Sequence, residues 1–365
     1  MRVGIDAYPL LLRSAGVKNY LYHWIGALMA APEGNEVLPF PWLRDLGPLV
    51  HEGSTRSAWE TLPRIALLFF LNLPGNPAAD WLTANLDVFH LSNQIRKRPR
   101  HARATATLHD LTCWIMPEVH TRGNIEADGR FARAVLTKAD RLIAVSENTR
   151  QDAIRILKID PERIDTIHSG VPEVYFDAKP VRREKPYLLY VGTIEPRKNI
   201  DRLLDAWMSL KAPLREEYEM LVAGPGGWDS ERTMARLREG VPGVRYVGYV
   251  AEGELPGLTA GAAAFVYPSL YEGFGFPVAQ AMAAGVAVVT SATSCLPEIA
   301  GDGALLADPK SVAEIGAALE RVMTSAPLRE ELGRKGRERA ERYRWERCAA
   351  ESIEFFKRAA SGSGV

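Results

Sequence analysis

Cysteine is scarce in this sequence. The chain has 365 residues and three cysteines, Cys113, Cys295 and Cys348, which lie far apart and are odd in number. This spacing argues against a disulfide framework and matches no zinc-binding pattern. We therefore expect a protein of a reducing, cytosolic compartment.

Long apolar segments are absent as well. No run approaches the roughly 20 residues of a membrane-spanning helix, and the chain opens directly into strand-like residues 2–7, without the features of a signal peptide. The most apolar segment is IALLFFL, residues 65–71. It predicts a buried helix, and the alternative is a helix that faces a membrane and brings the protein to a lipid-linked substrate.

Neither sign of charge is in excess, and two common motifs are missing. Lys plus Arg and Asp plus Glu both number 45, so net charge gives no reason to expect nucleic acid as a partner. No Gly-x-Gly-x-x-Gly follows the first predicted strand, which argues against a nicotinamide enzyme. No carboxylate-x-carboxylate pair follows a strand as a metal site would require, so we predict chemistry without a bound metal.

The length and the order of predicted elements indicate two domains. At 47% hydrophobic and 25% charged residues, the composition is that of a soluble globular protein. Strands and helices alternate in both halves, which predicts an α/β protein of two Rossmann-like domains facing across a cleft. Residues 172–186 are rich in proline and charge, as linkers are. We place the domains at residues 1–178 and 179–344, with residues 345–365 as a final helical segment.

The most informative stretch is residues 262–290. A buried strand is predicted at 262–267, then a glycine-containing turn, a helix at 277–284 and a second strand at 286–290. In parallel sheets, ligands bind where strands end and helices begin, and the amino end of a helix favours a phosphate. Glu272 in the turn would repel a phosphate, but a carboxylate accepts hydrogen bonds from sugar hydroxyls. The pattern predicts a site for a sugar phosphate or a nucleotide sugar.

A basic pair, Arg197 and Lys198, stands between a strand predicted at 187–191 and a helix predicted at 200–210. Cations at the amino end of a helix oppose the helix dipole, so they need a local reason to be there. A phosphate bound between them and the dipole would supply it. The alternative is a pair of solvated loop charges.

The first half of the chain holds weaker signals. Gly16 lies between the first strand and a helix predicted at 18–30, which is again phosphate-binding geometry. His109 and Asp110 follow a strand at 105–108, where catalytic groups gather, although a lone histidine is more often structural. Residues 94–103 (QIRKRPRHAR) form a basic loop. It is either solvated or in contact with an acidic substrate, a lipid diphosphate or an anionic membrane surface.

These motifs carry a family resemblance. The run YEGFGFPVAQAMAAGVAVV, residues 271–289, resembles the donor-binding motif of the retaining glycosyltransferases of family 4, which have the GT-B fold. The family motif has two glutamates with seven residues between them. Glu272 matches the first, which implies contact with the donor sugar. Gln280 stands at the second, which implies that the nucleotide ribose is bound without a charge.

The resemblance covers nearly the whole chain and implies further roles. Arg197 and Lys198 match residues that bind the donor diphosphate, and His109 matches a histidine that orients the sugar and stabilises charge in the transition state. No carboxylate nucleophile is evident, which agrees with the family's front-face mechanism. The GT-B fold also implies a final helix that crosses back onto the N-terminal domain, with Trp345 in its core. The remaining implied donor-binding residues are Gly16, Val250, Gly273, Phe274, Gly275 and Phe276.

The predicted function is retaining, metal-independent transfer of a hexose from a nucleotide sugar to a glycan or lipid-linked acceptor, with no cofactor. Residues 192–207 (GTIEPRKNIDRLLDAW) resemble bacterial mannosyltransferases of polysaccharide and O-antigen assembly, which favours GDP-mannose as the donor. A UDP-sugar-dependent transferase, a sugar-nucleotide epimerase and a non-catalytic nucleotide-sugar binder are the alternatives. We expect a cytoplasmic protein without a nucleic-acid partner, and peripheral contact with the inner face of the membrane stays open.

Overall fold

The computed structural model of the protein describes residues 1–13, 16–31, 34–50, 53–73 and 76–362. The chain divides into two compact units. Unit 1 consists of Met1–Trp114, Arg122–Gly170 and Trp345–Val365, and unit 2 of Ile115–Thr121 and Val171–Arg344.

Unit 1 is built on a parallel sheet, which has six strands in the described part of the chain. In chain order they are β1 (Arg2–Asp6), β2 (Glu36–Phe40), β3 (Val88–Leu91), β4 (Arg103–Leu108), β5 (Arg141–Ala144) and β6 (Ile164–Thr166). Their order across the sheet is β2-β1-β3-β4-β5-β6. The central strands are almost wholly buried because helices cover both faces of such sheets. The helices that connect these strands along the chain are α1 (Gly16–Ala30), α2 (Ala58–Leu71), α3 (Ala78–Leu82), α4 (Thr112–Ile115), α5 (Arg122–Phe131), which continues as a π-helix over Ala132–Leu136, and α6 (Glu147–Leu157).

Unit 2 repeats this architecture. Its described strands are β7 (Tyr187–Val191), β8 (Glu219–Ala223), β9 (Val244–Gly248), β10 (Ala264–Tyr267), β11 (Val288–Ser291) and β12 (Ala304–Ala307). They pair in parallel in the order β12-β11-β10-β7-β8-β9. The helices are α7 (Glu173–Phe176), α8 (Ile200–Ser209), α9 (Ala212–Glu217), α10 (Glu231–Glu239), α11 (Leu255–Ala260), α12 (Phe276–Ala283), α13 (Leu296–Ala300), α14 (Val312–Thr324) and α15 (Ala326–Ala340). Two parallel α/β sheets confirm the predicted fold class.

The final helix, α16 (Trp345–Ser361), packs on α1 within unit 1. The indole N–H of Trp24 donates to the Ser352 hydroxyl (2.9 Å). Trp345 is buried, and its ring lies 5.7 Å from that of Tyr20. The prediction that the last helix returns to the N-terminal sheet and buries Trp345 is confirmed.

The unit bounds differ from those expected from composition. Val171 already belongs to unit 2, where its N–H donates to the Tyr343 carbonyl (2.6 Å). The proline-rich stretch after it is only partly a linker, because α7 forms there and buries Tyr175 and Phe176.

A short segment, Ile115–Thr121, belongs to unit 2 although both its flanks belong to unit 1. The Trp228 indole N–H donates to the Val119 carbonyl. The Trp228 ring also stacks on that of His120 with centroids 5.9 Å apart.

The most apolar segment is helical but not buried, so the first interpretation of residues 65–71 is wrong. Only Leu68 and Leu71 of α2 are buried, whereas Phe69 is 72% exposed and Phe70 is 50% exposed. Among the described residues, no helix is both long and apolar enough to cross a membrane.

Candidate functional site

The strand order of unit 2 brings two loops together at one edge of the sheet. β7 lies between β10 and β8, so the chain changes direction across the sheet between β7 and β10. The loops that follow these two strands both leave from their carboxyl ends, where parallel sheets bind ligands. The first loop carries Arg197 and Lys198, and the second carries Glu272.

Asn199 fixes the first loop against the second. It adopts a left-handed backbone conformation (φ 62°) at the start of α8, which asparagine tolerates better than most residues. Its buried side-chain amide donates to the carbonyls of Pro268 (2.9 Å) and Pro309 (2.6 Å). This role was not predicted from the sequence, in which an asparagine directly before a helix indicates only where the helix starts.

Glu272 is the centre of a buried polar cluster. Its Oε1 accepts hydrogen bonds from Lys198 Nζ (2.6 Å), Ser269 Oγ (2.6 Å) and Tyr267 OH (3.0 Å). Its Oε2 lies 3.0 Å from Arg197 Nη1. The side chain of Glu272 is 10% exposed, and those of Arg197 and Lys198 are each 12% exposed, so the cluster is largely shielded from water.

Two carboxylates balance the two cations. The Arg197 guanidinium also contacts Glu195 Oε1 (2.7 Å) and donates to the Tyr271 carbonyl (2.7 Å). Burial opposes ionisation of Glu272, but the charges of Arg197 and Lys198 outweigh it and lower its pKa to about 2. Burial raises the pKa of Glu195 and lowers that of Lys198. Glu272 is therefore ionised and weakly basic.

These ion pairs correct one step of the sequence argument. From the sequence, a bound anion is the predicted reason for a basic pair beside the amino end of α8. In the structure Glu195 and Glu272 supply the negative charge themselves. Phosphate binding by Arg197 and Lys198 stays a prediction.

The glycine loop links Glu272 to α12. Gly275 precedes the helix with φ +84°, a conformation that glycine adopts without strain. A Cβ at Gly275 would lie 2.7 Å from Leu296 Cδ2. Phe274 is buried, with its ring against those of Phe276 (5.1 Å) and Tyr343 (5.5 Å). The Phe274 side chain therefore serves the core, and donor binding by Gly273, Phe274, Gly275 and Phe276 stays a prediction.

Replacing Gly275 with alanine should destabilise unit 2. We expect a loss of about 2–4 kcal/mol, because alanine is strained at this φ and its methyl group would overlap Leu296. Urea denaturation of the Gly275→Ala variant measures this loss in the free energy of unfolding. Gly253→Ala is the matched control, since a Cβ there meets nothing within 4 Å. Equal unfolding midpoints for the two variants would contradict the strained geometry.

Two further predicted donor residues lie on neighbouring elements of unit 2. Gln280 is half-buried in the second turn of α12. Val250 is half-buried just after β9, two residues beyond Gly248, which has φ +71°. Neither touches the Glu272 cluster in the contacts of the described residues, so their roles stay predictions.

The predicted histidine lies in unit 1, in the wall of a cavity of about 180 Å³ at the ends of β3 and β4. Tyr20 of α1 holds the His109 ring edge-on, with centroids 4.8 Å apart. Burial lowers the pKa of His109 to about 4, although Asp110 opposes this. The imidazole is therefore neutral at pH 7. Asn93, Trp114 and Asp128 also line the cavity, which combines polar groups with an aromatic face.

Asp110 has a structural role beside this histidine. Its Oδ1 accepts hydrogen bonds from the Thr112 N–H (3.0 Å) and the Thr112 hydroxyl (2.6 Å), and so it begins α4. His90, which the sequence analysis passed over, is buried between Thr105 and Thr107 at 3.0 Å from each hydroxyl.

Asp6 was missed as well, and it organises the loops beside the cavity. This buried carboxylate accepts hydrogen bonds from the N–H groups of Tyr8, Ser92 and Ile95 and from the Ser92 hydroxyl. An aspartate at the end of the first predicted strand was the available signal.

Gly16 is the first residue of α1 and is exposed. Among the described residues, nothing lies within 4 Å of a Cβ built at this position. Residues 14 and 15 of the predicted glycine turn lie outside the described residues.

The chain matches two family models. The model of the glycosyl transferases group 1 matches residues 173–339, and that of Glycosyltransferase Family 4 matches residues 15–174. The first match contains the Glu272 cluster, and the second contains His109.

Two relatives of the chain are mannosyltransferases. It is 34% identical over 270 residues to O-antigen chain mannosyltransferase B of Escherichia coli. The matched region covers 71% of each protein. It is 29% identical over 245 residues to the serotype-specific mannosyltransferase WbdA of Escherichia coli. That match covers 63% of this chain and 30% of the longer relative.

Among solved structures, the sucrose-phosphate synthase from Thermosynechococcus elongatus is similar over 100% of both chains, with a TM-score of 0.75 and 20% identity. At this identity the similarity concerns the fold.

Proposed function

The chain belongs to the glycosyltransferases of group 1 and family 4, and from this we propose that it is a retaining enzyme that transfers mannose from GDP-mannose to a glycan or lipid-linked acceptor. The observation that carries the proposal is the contact of Arg197 and Lys198 with the buried carboxylate of Glu272. Two cations and a sugar-binding carboxylate then stand together at the ligand-binding edge of a parallel sheet.

The cations stabilise the leaving group. When the bond between the sugar C1 and the diphosphate oxygen breaks, negative charge develops on the diphosphate. Arg197 and Lys198 are already ordered by Glu195 and Glu272, so little reorganisation accompanies that step. This supports catalysis in which these residues, with helix dipoles, neutralise the charge without a metal ion or cofactor.

Glu272 suits a binding role better than a nucleophilic one. Its pKa of about 2 makes the carboxylate a weak base, and three donors occupy Oε1. Among the described residues, Arg197 is the ion-pair partner of Oε2, and this oxygen has capacity for a sugar hydroxyl. In the transfer step, the bond between the sugar C1 and the diphosphate oxygen breaks. The acceptor oxygen bonds to C1 on the same face of the sugar that the diphosphate leaves, and the acceptor proton passes to a diphosphate oxygen.

The neutral imidazole of His109 fits the same chemistry. A glycosyl transition state develops positive charge on the sugar ring, which a cationic histidine would oppose. Burial keeps His109 uncharged at pH 7, so it can orient a sugar hydroxyl and accept a hydrogen bond. The cavity beside it has both hydroxyl-binding groups and an aromatic face, as a saccharide acceptor requires.

The choice of mannose rests on relatives, whereas GDP as its carrier rests on the sequence resemblance of residues 192–207. Both mannosyltransferases named above share the family and part of this chain's sequence, and the name of the first, an O-antigen chain mannosyltransferase, supports a growing glycan as the acceptor. The cysteines of the chain, Cys113, Cys295 and Cys348, are free and buried, which supports a reducing, cytoplasmic compartment.

The proposal is tested by calorimetry with GDP, UDP, ADP and their sugars, each with and without magnesium, followed by donor hydrolysis. Binding of GDP that is indifferent to magnesium, with release of mannose from GDP-mannose, supports it. Tight binding of UDP and none of GDP replaces the donor with a UDP-sugar. Conversion of the free donor to another nucleotide sugar favours an epimerase, and binding without turnover on any donor favours a non-catalytic binder.

Position 280 offers a second test of the donor site. If Gln280 meets the ribose, Gln280→Glu should tighten GDP binding by about three- to tenfold, because a charged acceptor makes a stronger hydrogen bond. Calorimetry of both proteins with GDP measures the gain. The control ligand is 2′,3′-dideoxy-GDP, for which the gain should vanish. An equal gain with both nucleotides, or no gain, would contradict the placement.

A further inference from the structure

Helix α2 turns an apolar face to solvent. The exposed positions between residues 58 and 73 recur every three or four residues, which is the spacing of one helix face. Trp59 is 89% exposed and Leu62 66%, and the two phenylalanines described above continue the row. Every exposed residue in this stretch is uncharged and apolar. The members, here called the α2 face, are Ala58, Trp59, Leu62, Pro63, Ala66, Phe69, Phe70 and Leu73.

The two charged residues of α2, Glu60 and Arg64, are half-buried and hydrogen-bonded to neighbouring groups. Glu60 accepts hydrogen bonds from the Arg56 guanidinium (3.2 Å to Nε) and from the Ser57 hydroxyl (2.9 Å). Arg64 donates to the carbonyls of Pro41 (3.1 Å) and Glu60 (2.6 Å). A surface helix normally shows the opposite arrangement, with its polar side outward. A contiguous exposed apolar face of this kind marks an interaction site.

A basic segment adjoins this face. Residues 96–103 contain Lys97 and four arginines, and residues 93–103 contain no aspartate or glutamate. The Asn72 side chain, at the end of α2, exchanges hydrogen bonds with the Gln94 carbonyl and the Arg96 N–H (both 3.0 Å). Lys97 Nζ donates to the Asn76 carbonyl (2.7 Å).

The same segment is tied to α3. The Arg100 N–H donates to Asp80 Oδ1 (2.8 Å), and the next residue of α3, Trp81, is 77% exposed. The Arg100 side chain is 83% exposed, and its Nε lies 3.6 Å from Asp80 Oδ2. Cationic side chains and exposed aromatic rings thus stand side by side in unit 1.

We propose that the α2 face and the basic segment bind the surface of a membrane that contains anionic phospholipids. An apolar helix face with adjacent cations is the arrangement that lies in the interface of such a bilayer, with tryptophans at headgroup level. Lys and Arg near the surface add electrostatic attraction to the anionic headgroups. A protein partner would have to match an apolar row and a strongly basic rim together, whereas an anionic bilayer offers both complements at once.

The purpose of this surface rests on the proposed function, because a lipid-linked acceptor lies at a membrane. The existence of the surface does not rest on that function, since binding to lipid requires neither donor nor turnover. A failed transferase assay would leave the surface intact, and a failed lipid assay would leave the donor site intact.

The test is co-sedimentation of the full chain with vesicles of phosphatidylcholine alone and with vesicles of phosphatidylcholine and anionic phosphatidylglycerol in equal parts. We expect binding to the anionic vesicles that weakens as salt is added. Phe69→Ser with Phe70→Ser should weaken it at least about tenfold. Arg96→Gln with Arg100→Gln should weaken it about tenfold at low salt.

The control variants remove two exposed apolar side chains or two exposed arginines from unit 2. Val174→Ser with Leu306→Ser replaces two exposed apolar side chains, and Arg232→Gln with Arg238→Gln replaces two exposed arginines of α10. Both should bind vesicles as the unaltered chain does, and all variants should keep its melting temperature.

Three results would overturn the proposal. They are absence of binding to anionic vesicles, equal binding to neutral vesicles, and unchanged binding by the phenylalanine variant. Sedimentation velocity adds a fourth, because a dimer that Phe69→Ser with Phe70→Ser dissociates would assign the α2 face to a second copy of the chain.

Discussion

Glu272→Gln should reduce the rate of donor hydrolysis by about 10²- to 10³-fold, which is the loss typical of removing one preorganised electrostatic contact in an active site. The amide keeps the shape of the side chain but removes its charge. Arg197 and Lys198 would lose the anion that orders them, and a sugar hydroxyl would lose its acceptor. Steady-state release of GDP from GDP-mannose measures the change.

The same substitution should also cost stability, so a control has to separate the two effects. Breaking a buried ion pair costs about 3 kcal/mol or more because a charge is left without its partner. Glu195→Gln breaks the other carboxylate contact of Arg197 (2.7 Å) at a residue with no predicted contact to the sugar. It should lose similar stability in urea and retain most of its turnover. Parallel losses of activity in both variants would contradict a sugar-binding role for Glu272.

Lys198→Met should lower kcat for donor hydrolysis by about 10²-fold. The ammonium group is held by Glu272 (2.6 Å) and Tyr267 (2.6 Å), and methionine keeps the stem while removing the charge that would stabilise the leaving diphosphate. The effect should fall on kcat more than on KM, because charge on the diphosphate increases in the transition state.

Lys198→Arg is the matched variant, since it keeps the positive charge and should recover part of the rate. Calorimetry with GDP separates binding from chemistry. A rise in KM with kcat unchanged would mean that Lys198 binds ground state and transition state equally, and it would contradict the leaving-group role.

The sequence allowed the local elements of the site to be predicted, but not their partners. The strand, glycine turn and helix around Glu272 follow from an apolar run, two glycines and a proline that suits the start of a helix. The ion pair between Glu272 and Lys198 joins residues 74 positions apart. It depends on β7 and β10 being neighbours in the sheet, which no local pattern encodes.

The exposed α2 face shows a second limit. Hydrophobicity predicted a helix at residues 65–71 correctly, yet it could not say whether another element covers the helix. Burial depends on what packs against Phe69 and Phe70, and in the structure of unit 1 both remain exposed. Asn199 was missed for a related reason, because its left-handed backbone and its two carbonyl partners are tertiary features.

The assignment of Ile115–Thr121 to unit 2 has a consequence for gene engineering. The polypeptide passes from one unit to the other at four peptide bonds, after Trp114, Thr121, Gly170 and Arg344. Consider a chimera that exchanges donor specificity with a relative by one crossover near residue 171. It would take α16 from a different parent than the rest of unit 1, and Val119 from a different parent than Trp228, which donates to the Val119 carbonyl. Recombination that respects the units needs matched breakpoints at all four places.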